Sequence, residues 1–102
     1  MIVPKEVPSE LRYRVQTGPD EVIRVHLSGN AANVLVMDDA NLRSYREGRE
    51  YNYWGGYYTQ TPVTVKPGLH GVPLNVLVNL GGFAGSVIAV VEVVYPRRRG
   101  RR

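Results

Sequence analysis

Two imidazoles, the adjacent aspartates Asp38-Asp39 and a dense run of aromatic rings are the groups in this sequence that could do chemistry. His26 falls on the polar face of an alternating stretch, and His70 lies in the turn-like segment Pro67-Gly68-Leu69-His70-Gly71. A hydrolytic triad needs a nucleophile, a base and an orienting acid that converge in space, and these two separated residues are the only imidazoles in the chain. The chain has no cysteine, which removes thiolate metal sites, cysteine nucleophiles and disulfide frameworks. Two histidines on separate elements fall short of the three or four protein ligands that zinc takes. Asp38-Asp39 lacks the Gly-punctuated acidic loop that gathers six to eight oxygens around calcium. Helix capping or a solvated turn is its expected role. Gly81-Gly82-Phe83-Ala84-Gly85 joins two strand-like patterns and reads as a hairpin connection, without the oriented helix amides that hold phosphate. No catalytic residue, metal or cofactor is implied, and a non-enzymatic role is the expectation.

The aromatic residues are another matter. Six of the nine fall between positions 45 and 58: Tyr45, Tyr51, Tyr53, Trp54, Tyr57 and Tyr58. As a strand, Tyr51-Asn52-Tyr53-Trp54 puts the first and third rings on one face and Trp54 on the other. The Gly55-Gly56 pair is then expected to fold the chain back, bringing Tyr57 or Tyr58 across from them. Two roles are open. Cross-strand aromatic pairs stabilise a hairpin by about 0.2–1 kcal/mol each. Alternatively, Tyr51, Tyr53, Trp54, Tyr57 and Tyr58 form a stacking platform for a sugar ring, a base or a partner side chain. Arg43, Arg46 and Arg49 are interleaved with the cluster, so Arg46 and Arg49 join the candidate surface as anion contacts. Asp38, Asp39, Glu47 and Glu50 bring the local charge near balance.

What must position these groups is a set of short strands. Leu11, Tyr13 and Val15 alternate with Arg12 and Arg14, and Ile23, Val25 and Leu27 alternate with Arg24 and His26. Leu74, Val76, Val78 and Leu80 repeat the pattern, the period-2 signature of strands with one core face. The stretches 34–37 and 86–94 are almost continuously apolar, which fits central strands covered on both faces or strands at a contact surface. Val63 and Val65 frame a shorter strand beside Pro62, a residue tolerated at a strand start or edge. Gly18-Pro19-Asp20, Ser28-Gly29-Asn30, Pro67-Gly68 and Gly81-Gly82 punctuate the runs with turn chemistry. Residues 39–47 read as one short helical turn, with Asp38 or Asp39 as cap, Leu42 and Tyr45 on one face and Gly48 as terminator. The expected fold is all-β: a single β-sandwich or small barrel of seven to eight short, mainly antiparallel strands.

Charge divides the chain. The formal net charge is +4, yet Arg97, Arg98, Arg99, Arg101 and Arg102 carry +5 within residues 97–102. The remainder holds 8 bases against 9 acids, a net of −1. A hydrophobic fraction of 43% and a charged fraction of 22% are those of an ordinary globular chain. The expected organisation is an N-terminal extension over 1–10, a β domain over 11–96 and an Arg-rich tail over 97–102. The first ten residues have Pro4, Pro8 and no apolar core, unlike a secretory signal. No apolar run approaches the length that spans a bilayer. Cytoplasmic residence is the expectation, with no membrane partner.

An ordered string of short motifs resembles a known family. Ser28-Gly29-Asn30-Ala31-Ala32-Asn33-Val34 is followed by Met37-Asp38, Asn41, Tyr45 and Gly48, then by Tyr51, Tyr53 and Gly55-Gly56. Tyr58-Thr59, Pro62-Val63, Leu80-Gly81-Gly82, Gly85 and Val87 complete it. Over residues 11 to 95 this looks like the bacterial domain of unknown function 1883. Family members typically carry a tryptophan at the strand start where this chain has Val72-Pro73-Leu74. The resemblance implies a compact, mainly β domain of bacterial cytosolic proteins, alone or fused to signalling-type domains such as TIR, with no catalytic residue or ligand to carry over. Three readings follow. The first is a non-catalytic interaction module for a protein or small polar ligand. The second is a nucleic-acid-associated protein working through the tail arginines, whose alternative role is merely solubilising. The third and least supported is a carbohydrate-acting or metal-dependent hydrolase, with any metal ligands drawn from His26, His70 and Asp38. Homo-oligomerisation through the apolar 86–94 stretch is compatible with all three.

Overall fold

The computed structural model describes residues 10–29, 31–81 and 85–95. Residues 1–9 of the expected N-terminal extension, and the tail arginines Arg97, Arg98, Arg99, Arg101 and Arg102, lie outside them. Among the described residues seven strands and one helix follow in order: β1 (Glu10–Val15), β2 (Val22–Gly29), β3 (Ala32–Asp38), α1 (Asp39–Arg46), β4 (Trp54–Tyr58), β5 (Val63–Val65), β6 (Leu74–Asn79) and β7 (Val87–Val94). They form a four-stranded sheet, ordered β1-β6-β3-β4, and a three-stranded sheet, ordered β5-β2-β7. Every pairing is antiparallel. The two sheets remain separate, so the fold is a β-sandwich and not a barrel.

Period-2 alternation explains the core. Ile23 and Val25 from the small sheet meet Val34, Val36, Leu74, Val76 and Val78 from the large one, with Val63 and Val65 closing one side. Each fully buried Val or Leu of this kind is worth about 1.5–3 kcal/mol relative to an exposed one. Strand β3 is covered on both faces, as its unbroken apolar run suggests. Its opposite face supplies Leu35 and Met37, which join Leu77 and the helix residue Leu42 in a second cluster. Strand β7 behaves differently. It is an edge strand whose inner-face residues Val87, Ala89 and Val91 pack on the core, while Ile88 and Val90 remain exposed.

Two expected reversals of the chain are corrected. Gly55-Gly56 is not a turn; it lies within β4, paired in register with Leu35 and Val34. Gly55 has a φ of 119°, and an added Cβ would sit 2.0 Å from the Val34 carbonyl oxygen. Glycine is needed there for close backbone approach, which composition alone does not distinguish from a turn. Nor is the 81–85 segment a hairpin connection, since β6 and β7 belong to different sheets. Five of the six strand-to-strand connections switch sheets, and only β3 and β4 are neighbours both in sequence and in space. Turn chemistry reports that the chain bends and is silent about which sheet it enters next.

Candidate binding surface

Helix α1 organises the outer face of the large sheet. The Asp38 carboxylate accepts the Asn41 backbone N–H at 2.9 Å, satisfying one of the donors that a helix start leaves open. Gly48, with a φ of 75°, follows the last turn as helix termination favours. Leu42 anchors the helix in the second cluster, where Tyr45 and Tyr51 pack beside it. Their rings meet edge to face, with centroids 5.0 Å apart. Tyr45 also donates its hydroxyl to Glu10 at 2.6 Å. Burial, reinforced by that bond to a carboxylate, raises its pKa above the ordinary tyrosine value, so this ring is a fixed phenol and no base.

Beside the first helical turn lies a network that alternation alone mistakes for a solvated face. Asn75, on the polar side of β6, has no exposed surface. Its side-chain amide donates to the Met37 carbonyl at 3.3 Å and to Asp39 at 2.8 Å. Its carbonyl accepts from Arg12 and Arg14. Asp39 in turn takes a two-pronged contact from Arg14, at 2.8 and 2.9 Å. The Arg14 hydrogen bonds, helped by Asn75, hold the Asp39 carboxyl down at about 2. The two adjacent carboxylates therefore part company, Asp38 capping the helix and Asp39 pairing with β1.

Between this ion pair and the exposed side of α1 is an open pocket of about 390 Å³, lined by Arg14, Asp39, Leu42, Arg43, Arg46 and Glu47. The helical spacing of 39, 42, 43, 46 and 47 puts all five on one stripe. Asp39 is taken by Arg14, and Glu47 is taken by Arg49. Arg43 and Arg46 are exposed and make no ion pair among the described residues. Both sit in the last turn of the helix, where positive charge also complements the helix dipole.

The aromatic residues do not form a single platform. Trp54 and Tyr58 point inward from β4 and pack against the main core, with the indole lying over Gly68, whose added Cβ would stand 3.2 Å from it. Tyr51 belongs to the second cluster. Of the six clustered rings, only Tyr53, at 45%, and Tyr57, at 61%, are exposed. Tyr53 sits next to Tyr51, with centroids 5.7 Å apart, and precedes the strand instead of lying within it. Of the expected surface, Arg46 lines the pocket and Arg49 serves it only by occupying Glu47. The sequence offers Asp39 only as a cap or turn residue, while Arg14 and Asn75 are not singled out by residue type. Their only trace in the sequence is the polar half of the alternations in β1 and β6.

The remaining groups stay apart. His26 approaches Glu92 at 3.6 Å on the outer face of the small sheet, whereas His70 is exposed in a loop. Among the described residues no three or more His, Asp or Glu side chains are grouped to hold a metal ion, and no helix is long and apolar enough to cross a membrane.

A two-sheet antiparallel sandwich with one short helix on its outer face is the class of domain these elements define. The family model for the domain of unknown function DUF1883 matches residues 12–94, and the chain belongs to that family. No curated protein and no solved structure matches it significantly.

Proposed function

We propose that this domain is a non-catalytic binding module that captures an anionic group, carboxylate or phosphate, in the pocket between α1 and β1. One observation carries the reading: every acid lining the pocket already has an arginine partner, while Arg43 and Arg46 have no acidic partner among the described residues. Two unpaired guanidiniums flanking a fixed ion pair favour a ligand that brings its own negative charge, and guanidinium forks match carboxylate and phosphate oxygens in two-pronged fashion. Leu42 provides an apolar floor. The ligand is thus a polar molecule, or a peptide side chain, with an anionic end and room for a small apolar body.

The test is a residue-resolved NMR titration of the full chain with inorganic pyrophosphate. Saturable shifts at the amides of residues 43–47 are expected, and they should vanish in an R43Q/R46Q variant. Resolving individual residues separates this site from any pyrophosphate held by the 97–102 arginines. Shifts confined to the tail, or an α1 response unchanged in the double variant, would remove the pocket from the function.

A further inference from the structure

We infer that two copies of this chain pair through the free edge of β7, antiparallel about a two-fold axis at Val90, joining their three-stranded sheets into one of six strands. Sheet edges expose unpaired backbone donors and acceptors, and proteins that remain monomeric blunt them with charge, proline or brevity, while glycine weakens a strand outright. The other edges here follow that rule. Strand β1 carries Glu10, Arg12 and Arg14 in six residues, and β4 has two glycines in five. Strand β5 has three residues and lies between Pro62 and Pro67. Strand β7 has eight residues, VIAVVEVV, with neither proline nor glycine and a single charge. Its outward side chains Ile88 and Val90 are 68% and 54% exposed.

The strand's own sequence identifies the occupant. Antiparallel partners that face each other share a side of the sheet, so a two-fold must sit on a residue of β7 and sets the register by itself. Centred on Val90, it places Val90 against its own counterpart and Ala89 opposite Val91. Ile88 then stands opposite Glu92, and Val87 opposite Val93. Ile88 and Val90 of both copies merge into one apolar patch, and the two Glu92 carboxylates stay well apart. A centre at Val91 would make those carboxylates diagonal neighbours, and one at Glu92 would set them face to face, which is destabilising. Each Glu92 retains His26 of its own chain alongside. Tyr13 donates its hydroxyl to the Ala89 carbonyl at 3.2 Å, which braces β7 against β1; a carbonyl oxygen has two lone pairs, so this bond does not use up the acceptor. The anion pocket lies on the other sheet, and the pairing is independent of it.

The chain has no native cysteine, which makes a single-cysteine scan clean. V90C should form an intermolecular disulfide readily under mild oxidation, whereas I88C and E92C, removed from the axis, should crosslink at least about tenfold more slowly. Light scattering of the wild-type chain should give twice the chain mass at high concentration. Val90→Lys, a change at an exposed position that keeps the strand's circular dichroism, should weaken the dimer at least about tenfold by placing two ammonium groups together. A wild-type chain of monomeric mass at every concentration overturns the inference. So does a dimer that V90K leaves intact, or one whose fastest crosslink falls at another position.

Discussion

Asp39 shows how much a single side chain's partners change what it does. As one of two adjacent carboxylates it resembles half of a cation site, yet the Arg14 fork and the Asn75 amide consume its acceptor capacity. Because its pKa in the fold, about 2, lies below the ordinary 3.8, the carboxylate's contribution to stability is fully present above that ordinary value. It is lost as pH falls through the folded value. Side-chain carboxyl NMR of the wild type should place the Asp39 midpoint near 2, and Arg14→Gln should return it towards 3.8. An unchanged midpoint would show that the ion pair does not set it. Asn75 is more costly to disturb, because it is buried and fully partnered. Asn75→Ala leaves the Met37 carbonyl and the arginine donors searching for replacements, a loss of about 2–3 kcal/mol that denaturant unfolding would measure. A loss below about 0.5 kcal/mol, the usual range for a surface substitution, would mean that solvent serves these groups equally well.

Strand β4 is the element whose role the residues disguise most. Its glycines and rings suit a hairpin with a stacking face, but the pairing with β3 requires Gly55 where any Cβ meets the Val34 carbonyl. Gly55→Ala is therefore expected to cost about 2 kcal/mol or more, from the combination of positive φ and backbone overlap. Trp54 packs into the core from the same strand, and Trp54→Ala should lose about 2–4 kcal/mol, less than a fully buried ring because part of it meets solvent. Tyr57→Ala, at an exposed position, should stay within about 0.5 kcal/mol of the wild type. Urea midpoints of the three variants check this order, and a Trp54→Ala protein as stable as Tyr57→Ala would return the indole to the surface. The other elements were more legible. Alternation in β1, β2 and β6, the continuous apolar run of β3, and the Asp38 cap before Leu42 each state a local geometry that the fold retains. What eluded the residues was long-range: the crossing of β6 to β7 between sheets and the burial of Asn75 beneath arginines from a strand more than 60 residues away.

At the scale of the molecule, charge and topology divide the labour. A body of net −1 carries the sandwich and its local arginine pocket, while the 97–102 arginines supply +5. These two cationic features call for different partners. Arg43 and Arg46 sit in a pocket beside acids, so on the proposed reading they take one small anionic group, and a continuous polyanion would be brought against Glu47. The five tail arginines are nearly consecutive in sequence, which suits phosphates spaced along a strand and gives no discrimination among bases. If each tail arginine displaces one counterion from duplex DNA, the logarithm of the binding constant should fall with the logarithm of salt at a slope of about −4.5. Replacing the five by serine in the full chain should abolish that binding, whereas R43Q/R46Q should leave its slope unchanged. Fluorescence anisotropy over a salt series reads both. A slope near zero, or one that the serine variant retains, would remove the tail as a polyanion contact.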